Sequence, residues 1–103
     1  MIEQAVTFAI EAAHLSEGDA RLHGHSYVVE VWTAALRDFV ALETEVQAIR
    51  STVDHTLLND SIGGTTMEHL AEWLLTRFAS LPATRVVVRR PTLGYVVEAR
   101  PKA

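Results

Sequence analysis

AVTFAIEAAH, residues 5–14, alternates along its length, and this pattern decides the fold. Successive side chains of a β-strand point to opposite faces of the sheet. One parity contains Val6, Phe8, Ile10, Ala12 and His14. Thr7 and Glu11 have the other parity, so the segment is predicted to be a half-buried strand whose buried face ends at His14.

A second strand is predicted close behind the first. After the linker LSEGDARL comes HGHSYVVEVWTA, residues 23–34, which is β-branched and aromatic from Ser26 to Thr33. Such residues are enriched in strands. Because the linker is short, we expect the two strands to pair as an antiparallel hairpin.

The middle of the chain has helical periodicity. Apolar residues recur every three or four positions after Asp38, which is placed to cap the first helix. They are Phe39, Leu42, Val46, Ile49 and Val53. Beyond DHTLLNDSIGG, residues 54–64, Thr65 and Glu68 are predicted to form a capping box for a second amphipathic helix.

The C-terminal part predicts two more strands. RVVVRR, residues 85–90, and YVVEAR, residues 95–100, flank the turn PTLG. The order β-β-α-α-β-β predicts an α+β fold, with two helices on one face of a four-stranded antiparallel sheet. Parity gives the apolar face Val6, Phe8, Ile10, Tyr27, Val29, Val31, Val86, Val88, Tyr95 and Val97, and the opposite face Glu11, Glu30, Arg85, Arg89, Glu98 and Arg100. The two unpaired sheet edges favour pairing between copies.

Composition narrows the possible functions. The 103 residues fit one domain, residues 1–103, and the net charge of −4 argues against nucleic-acid or anionic-membrane partners. No apolar run approaches the roughly 18 residues of a membrane span, and Glu3 lies where a signal peptide needs positive charge. We therefore expect a cytoplasmic protein. Cysteine is absent, which leaves imidazoles and carboxylates for any chemistry.

Three histidines are candidates for a metal site. His23 and His25 are two residues apart, so their rings project from one face of a strand, and Gly24 between them has no side chain. His14 ends the neighbouring strand. Three neutral imidazoles suit zinc and leave a fourth position for water or substrate, as in catalytic zinc sites. The alternative is three unrelated histidines.

Asp54 and His55 form a candidate pair for proton transfer, since a carboxylate can orient an imidazole and raise its basicity. An aspartate at this place is also common as a helix-ending or turn residue, and spacing alone favours that simpler interpretation. We expect His69, beside Glu68 and Glu72 in the second helix, to be solvated and without a role.

Five motifs together resemble a known family. They are F-x-x-E-A-A-H (Phe8 to His14), R-L-H-G-H-S-Y (Arg21 to Tyr27), D-F (Asp38, Phe39), D-H-x-x-L-N (Asp54 to Asn59) and T-x-E-x-L-A-x-W (Thr66 to Trp73). The sequence resembles the 6-pyruvoyl-tetrahydropterin synthase and 6-carboxytetrahydropterin synthase family. The matches occur in family order over roughly residues 6–90.

The resemblance implies a tunnelling fold whose subunits form a barrel-shaped trimer, two of which stack into a hexamer. It implies that His14, His23 and His25 bind catalytic Zn²⁺, which holds the hydroxylated side chain of dihydroneopterin triphosphate. Asp54 and His55 match the family's proton-relay pair, which works with a cysteine base. Queuosine biosynthesis is an implied pathway.

The resemblance also implies contacts to the pterin ring. Thr65 and Thr66 match the threonines near that ring, although the capping box alone would also account for Thr65.

Two positions depart from the family pattern. The family's cysteine position is Asp19 here, which is a candidate carboxylate base or a solvated loop residue. The glutamate that anchors the pterin is replaced by Arg90, which parity places on the histidine face. Because a guanidinium has donors and no acceptor, it cannot accept the paired N–H groups of a pterin, and an anionic or carbonyl-bearing ligand fits better. The alternative is that Arg90 turns to solvent and that Glu98 or backbone carbonyls receive the ring.

Three functions follow as hypotheses. The first is a zinc-dependent lyase acting on a dihydroneopterin-type substrate, with an altered base and ring anchor. The second is a divergent paralogue that binds or converts another, anionic small molecule. The third is a non-catalytic assembly or regulatory subunit with vestigial histidines. All three are compatible with a homo-oligomer.

Overall fold

The computed structural model describes residues 1–15 and 21–102. The elements are β1 (Gln4–Leu15), β2 (Leu22–Thr33), α1 (Phe39–Arg50), β3 (Thr56–Leu57), α2 (Leu58–Ser61), α3 (Met67–Arg77), β4 (Ala83–Arg90) and β5 (Tyr95–Ala99). The strands form one sheet in the order β3-β1-β2-β4-β5. This arrangement confirms the predicted α+β class.

The long hairpin of β1 and β2 is the centre of the sheet. Its antiparallel register pairs Phe8 with Val29, Ile10 with Tyr27 and His14 with His23. β4 is antiparallel to β2, and β5 is antiparallel to β4. These are the four predicted antiparallel strands.

The connection after α1 contains two elements that the sequence analysis did not predict. It contains the two-residue strand β3, parallel to β1 at Ala12 and Ala13, and the single turn α2. Asn59 holds this segment to the edge of β1, because its side chain donates to the backbone oxygen of Leu15 at 3.1 Å and accepts from its N–H at 2.8 Å. The sheet therefore has five strands rather than four. A two-residue strand is too short to give a periodic pattern.

The core lies between one face of the sheet and the helices. α1 contacts β1, and α3 contacts β4 and β5. Seven of the ten residues predicted for the apolar sheet face are buried, namely Phe8, Ile10, Tyr27, Val29, Val31, Val86 and Val88. Each fully buried aliphatic side chain contributes about 1.5–3 kcal/mol relative to an exposed one. Val6 and Val97 are half-buried at the margin of this core.

Two predicted core positions are wrong. Tyr95 is 55% exposed because it is the first residue of β5, next to the turn. The apolar face therefore ends at the preceding residue pair on that face, Val88 with Val97. Phe39 is 57% exposed at the first turn of α1, whereas Leu42 and Val46 are fully buried. Asp38 caps α1 as predicted, and its side chain accepts from the N–H of Ala41 at 3.1 Å.

The start of α3 corrects the predicted capping box. The N-cap is Thr66, not Thr65, and the hydroxyl of Thr66 accepts from the N–H of His69 at 3.1 Å. The helix therefore begins one residue later than the Thr65–Glu68 spacing predicted. An error of one residue is within the usual uncertainty of a helix boundary.

The face of the sheet opposite the helices is charged, as predicted. Arg89 lies 3.1 Å from Glu30 of the neighbouring strand, and Arg85 lies 3.4 Å from Glu98. The guanidinium of Arg85 also lies 4.3 Å from the ring centre of Trp32. These charges therefore pair across strands within one chain. No helix among the described residues is long and apolar enough to cross a membrane.

The cap of α3 gives a first prediction. We expect Thr66→Ala to lower the free energy of unfolding by about 1 kcal/mol, because the N–H of His69 loses its acceptor. Urea denaturation followed by circular dichroism measures the change. Thr65→Ala is the matched control and should cost clearly less; the assignment of the cap is contradicted if the two variants are equally destabilised.

Candidate metal centre

His14, His23 and His25 form the histidine cluster at one end of the hairpin. The register places His14 directly opposite His23, and His25 opposite Ala12. Because positions two apart in a strand share a face, all three rings project from the helix side of the sheet. The sequence predicted that His14 lies on the strand next to His23 and His25, and the register of β1 and β2 brings the three residues together.

The three rings are close enough to share one ion. Their ring centres lie 4.3 Å apart for His14 and His23, and 5.0 Å apart for the other two pairs. One ring nitrogen from each lies within 4.8 Å of the others. Zinc–nitrogen bonds are about 2.0–2.1 Å long, so binding requires a modest inward movement of the rings. The cluster can therefore hold a metal ion.

The donor set also indicates the kind of ion. Among the described residues, the cluster consists of three imidazoles and includes no carboxylate. Imidazole suits zinc, copper, iron and nickel, whereas calcium and magnesium prefer oxygen ligands. Three protein ligands leave an open coordination position, as in catalytic zinc sites. The described residues thus fit a transition metal and supply three ligands, one fewer than a four-coordinate zinc ion takes.

The surroundings of His25 favour its neutral form. Burial lowers the pKa of the His25 ring, and the positive charges of Arg90, His14 and His23 lower it further. A histidine binds metal only when the ligating nitrogen is deprotonated. His25 is therefore in the protonation state that a metal ligand needs over a wider pH range than a free histidine.

Gly24 lies between His23 and His25, close to the backbone of β1. A Cβ at this position would lie 3.3 Å from the backbone oxygen of Ala12. That distance is tighter than an ordinary van der Waals contact, so a larger residue here would require the backbone at Ala12 to move by a few tenths of an ångström.

Asp54 and His55 form a hydrogen-bonded pair beside β1. Asp54 Oδ1 accepts from the N–H of Glu11 at 2.9 Å and lies 3.1 Å from His55 Nδ1. Arg50 lies 3.3 Å from the other oxygen. Burial raises the pKa of the Asp54 carboxyl, but the Glu11 and His55 hydrogen bonds and the charges of His55 and Arg50 outweigh it, so the pKa lies below its usual value. Asp54 is therefore ionised at neutral pH.

His55 has a left-handed backbone, with a φ of 58°. Few residues other than glycine adopt this region, and histidine is among the less disfavoured. Its N–H donates to the backbone oxygen of Glu11 at 2.6 Å, which holds the conformation in place. The side chain is 76% exposed. The pair is thus a fixed carboxylate carrying an accessible imidazole.

His55 lines a pocket of about 530 Å³ that lies mainly on the sheet face opposite the rings of the histidine cluster. His25 and His55 both line it, together with Glu11 and Ser26 of the opposite sheet face. His55 is not among the ligand group of the described residues. His25 is therefore the one member of the cluster that shares this pocket wall with His55.

Glu11 and Ser26 are pocket residues that the sequence analysis did not single out. They are direct partners in the hairpin, and the Ser26 hydroxyl donates to Glu11 Oε2 at 2.6 Å. The register that pairs His14 with His23 also pairs these two residues. Extending the His14–His23 pairing along the hairpin would therefore have placed Glu11 opposite Ser26 from the sequence.

The remaining predicted site residues have different surroundings. Thr66 is occupied in capping α3, and its hydroxyl lies 2.9 Å from His69 Nδ1, so His69 has a structural contact that the sequence did not predict. Neither Thr65 nor Thr66 lines the pocket of His25 and His55. Arg90 ends β4 on the histidine side of the sheet, near enough for its charge to lower the pKa of His25.

Asp19, the candidate replacement for the family's cysteine, lies in residues 16–20, outside the described residues. Its proposed role therefore remains a prediction from the sequence.

The chain is similar to known proteins in family and in fold. Residues 3–93 match the family model of 6-pyruvoyl tetrahydropterin synthase. The chain is similar in structure to 6-pyruvoyl tetrahydropterin synthase of Caenorhabditis elegans, with a TM-score of 0.80, 18% sequence identity, and coverage of 98% of this chain and 96% of that one. It is also similar to an uncharacterised protein from Wolinella succinogenes, with a TM-score of 0.68, 16% identity and 98% coverage of both chains. No curated protein matches the chain.

The environment of Asp54 gives a second prediction. We expect Asp54→Asn to lower the free energy of unfolding at pH 7 by about 1–2 kcal/mol, because hydrogen bonds to a charged group are lost. A pKa that is lowered by folding stabilises the protein above the unfolded value of about 3.9, and the effect is lost as pH falls toward the folded value. The difference between variant and wild type should therefore shrink at acid pH.

Urea denaturation between pH 7 and pH 3 measures this difference. Asp60→Asn, which changes an exposed carboxylate of α2, is the control and should have little effect throughout. A difference for Asp54→Asn that stays constant down to pH 3 would be incompatible with the lowered pKa.

Proposed function

Because its family model matches residues 3–93, the chain belongs to the 6-pyruvoyl tetrahydropterin synthase family, and we propose that it is a zinc-dependent lyase of this type acting on a dihydroneopterin-type substrate. The histidine cluster is the observation that supports this most directly. Three imidazoles converge on one point and leave room for a further ligand.

His14, His23 and His25 would hold the ion. When bound, zinc would supply Lewis-acid polarisation of an oxygen on the substrate side chain. The chain's own contribution is to hold the three ligands on one rigid hairpin face, where β1 and β2 pair along their length. Ligands on paired strands are positioned more exactly than ligands on loops.

The Asp54–His55 pair would move protons. Asp54 is ionised and lies next to His55 Nδ1, which keeps the proton on that nitrogen. His55 Nε2 is then free to accept a proton and later return it. The exposed ring and its place in the pocket with His25 support this acid–base role.

Other residues of the proposed site rest on the sequence. Asp19 is proposed as the carboxylate that replaces the family's thiol base. Thr65, Thr66 and Arg90 are proposed as substrate-binding residues. For Thr66 the contact with His69 supports a structural role at least as well.

The proposed assembly is a homo-oligomer, either a trimer or a hexamer. The resemblance to the family supports it, and so does the sheet, because β5 is an edge strand and β3 covers only two residues of β1. Unpaired strand edges favour pairing with another chain. We further propose one domain over residues 1–103, a cytoplasmic location, and no nucleic-acid partner.

A second candidate is a divergent paralogue that keeps the metal and the assembly but uses a different, anionic small molecule. Arg90 on the histidine side of the sheet favours this candidate, because it adds positive charge there. The third candidate, a non-catalytic subunit, is supported by the absence of cysteine. Metal content and turnover separate the three.

Metal content gives a third prediction. Protein purified without chelator should contain close to one zinc per chain, and His23→Ala should lower this at least severalfold because one of three ligands is lost. Inductively coupled plasma mass spectrometry measures the ratio. His69→Ala, which removes a histidine outside the cluster, should retain the metal. Less than about one zinc per three chains in the wild type would favour the non-catalytic candidate.

Turnover gives a fourth prediction. Zinc-loaded protein should convert dihydroneopterin triphosphate or dihydroneopterin, and His55→Ala should lower kcat by about 10²–10⁴-fold, the usual loss for a general acid–base group. Chromatography of the products and metal analysis of the variant are measured together. Loss of kcat with unchanged zinc content supports a proton-transfer role. No conversion of either substrate by the wild type contradicts the proposed reaction.

A further inference from the structure

Arg90 lies on the same face of the sheet as the histidine cluster. β4 alternates, and Val86 and Val88 are buried on the helix side, so Arg90 has the same parity. The register pairs Val29 with Val88 and Val28 with Arg89, and one further step places Arg90 beside Tyr27. The rings of Tyr27 and His25 have centres 6.1 Å apart. Arg90 therefore belongs to the surroundings of the proposed metal site.

The other arginines of the sheet have carboxylate partners. Arg89 lies against Glu30, and Arg85 and Arg100 lie against Glu98. Within the ranges that the structure describes, no carboxylate is in ion-pair contact with Arg90. Its Nε is buried without a hydrogen-bond acceptor, as is that of Arg85, but Arg85 has Glu98 as a partner at another nitrogen. A buried donor without a partner costs free energy, which an arriving acceptor would recover.

The electrostatics of this face favour an anion. Imidazoles must be neutral to bind a metal, so a bound divalent ion and Arg90 would leave the site strongly positive. Among the described residues, the ligand group contains no acidic side chain that would offset this charge. Arg90 stands beside Tyr27, whose ring is next to that of His25, so its charge lies on the same face as the cluster. A ligand with negative charge would be attracted to both centres.

The shape of the Arg90 guanidinium limits which chemical groups a ligand can present to it. It presents five N–H donors in a rigid fork and has no acceptor. This fork matches the paired oxygens of a carboxylate or phosphate and cannot receive the N–H edge of a neutral heterocycle.

We propose that Arg90 is the anion-binding residue of this site, and that the substrate presents a carboxylate or phosphate group to its guanidinium. This inference rests on the proposed metal site and specifies the substrate class. The reacting end of the ligand lies toward the histidine cluster and its acidic end toward Arg90.

The test is calorimetric titration with two simple oxyanions, inorganic phosphate and succinate, of both zinc-loaded and chelator-treated protein. Arg90→Met removes the charge and the fork, and should weaken anion binding at least tenfold in both forms. Arg90→Lys keeps the charge and loses the fork, and should give an intermediate loss. The tighter of the two probes tells whether the natural acidic group is a phosphate or a carboxylate.

Arg89→Met is the matched control. It removes an arginine one residue away on the opposite face, so anion binding should stay within about twofold of the wild type.

Reversing the charge at residue 90 should create binding of a different ligand. Arg90→Glu provides acceptors, so it should strengthen binding of neutral neopterin, followed by the fluorescence of the compound, and abolish binding of both anions.

The results separate this inference from the proposed function. Equal anion binding by the wild type and Arg90→Met, or equal neopterin binding by the wild type and Arg90→Glu, overturns the role of Arg90 even where zinc content is normal. Low zinc content overturns the metal site, while the chelator-treated titrations still decide the role of Arg90.

Discussion

The antiparallel register of β1 and β2 determines everything that the histidine cluster can do. His14 lies opposite His23 because buried pairs such as Phe8 and Val29 hold the strands in step farther along the hairpin. Since side chains alternate with a period of two, a slip of one residue would move His23 to the charged face and leave His14 behind. The geometry of the cluster is therefore set by core packing several residues away from it.

A second constraint ties the segment after α1 to the edge of β1. The ties are made by side chains as much as by the sheet, because Asp54 accepts from the backbone of Glu11, and Asn59 forms two hydrogen bonds with Leu15. Together they hold His55 in its left-handed conformation at the rim of the pocket. Asp54 thus serves two purposes, since the contacts that anchor the chain also keep it ionised beside an imidazole. Removing it would disturb both the local structure and the electrostatics of His55.

The sequence predicted the features that repeat over many residues. Alternation located the hairpin and its buried face, and the spacing of His23 and His25 indicated a shared ion. It did not predict β3 or α2, which are too short for periodicity and depend on side-chain contacts with distant backbone atoms. The exposure of Tyr95 and Phe39 was also missed, because alternation says which face a side chain occupies but not how far the covering helices reach.

Arg89 and Arg90 show why neighbouring residues of one type can differ in chemistry. The pleat of β4 sends Arg89 to the outer face, where Glu30 neutralises it, and Arg90 to the face that holds the histidines. A count of net charge cannot separate them, because only strand parity and the placement of acidic partners decide which cation remains available to a ligand. The chain shares its fold with the Caenorhabditis elegans structure at 18% identity, and a shared fold does not by itself determine the charges of a site. Family and fold therefore leave open which of the two arginines faces the histidines, and the parity of β4 decides it.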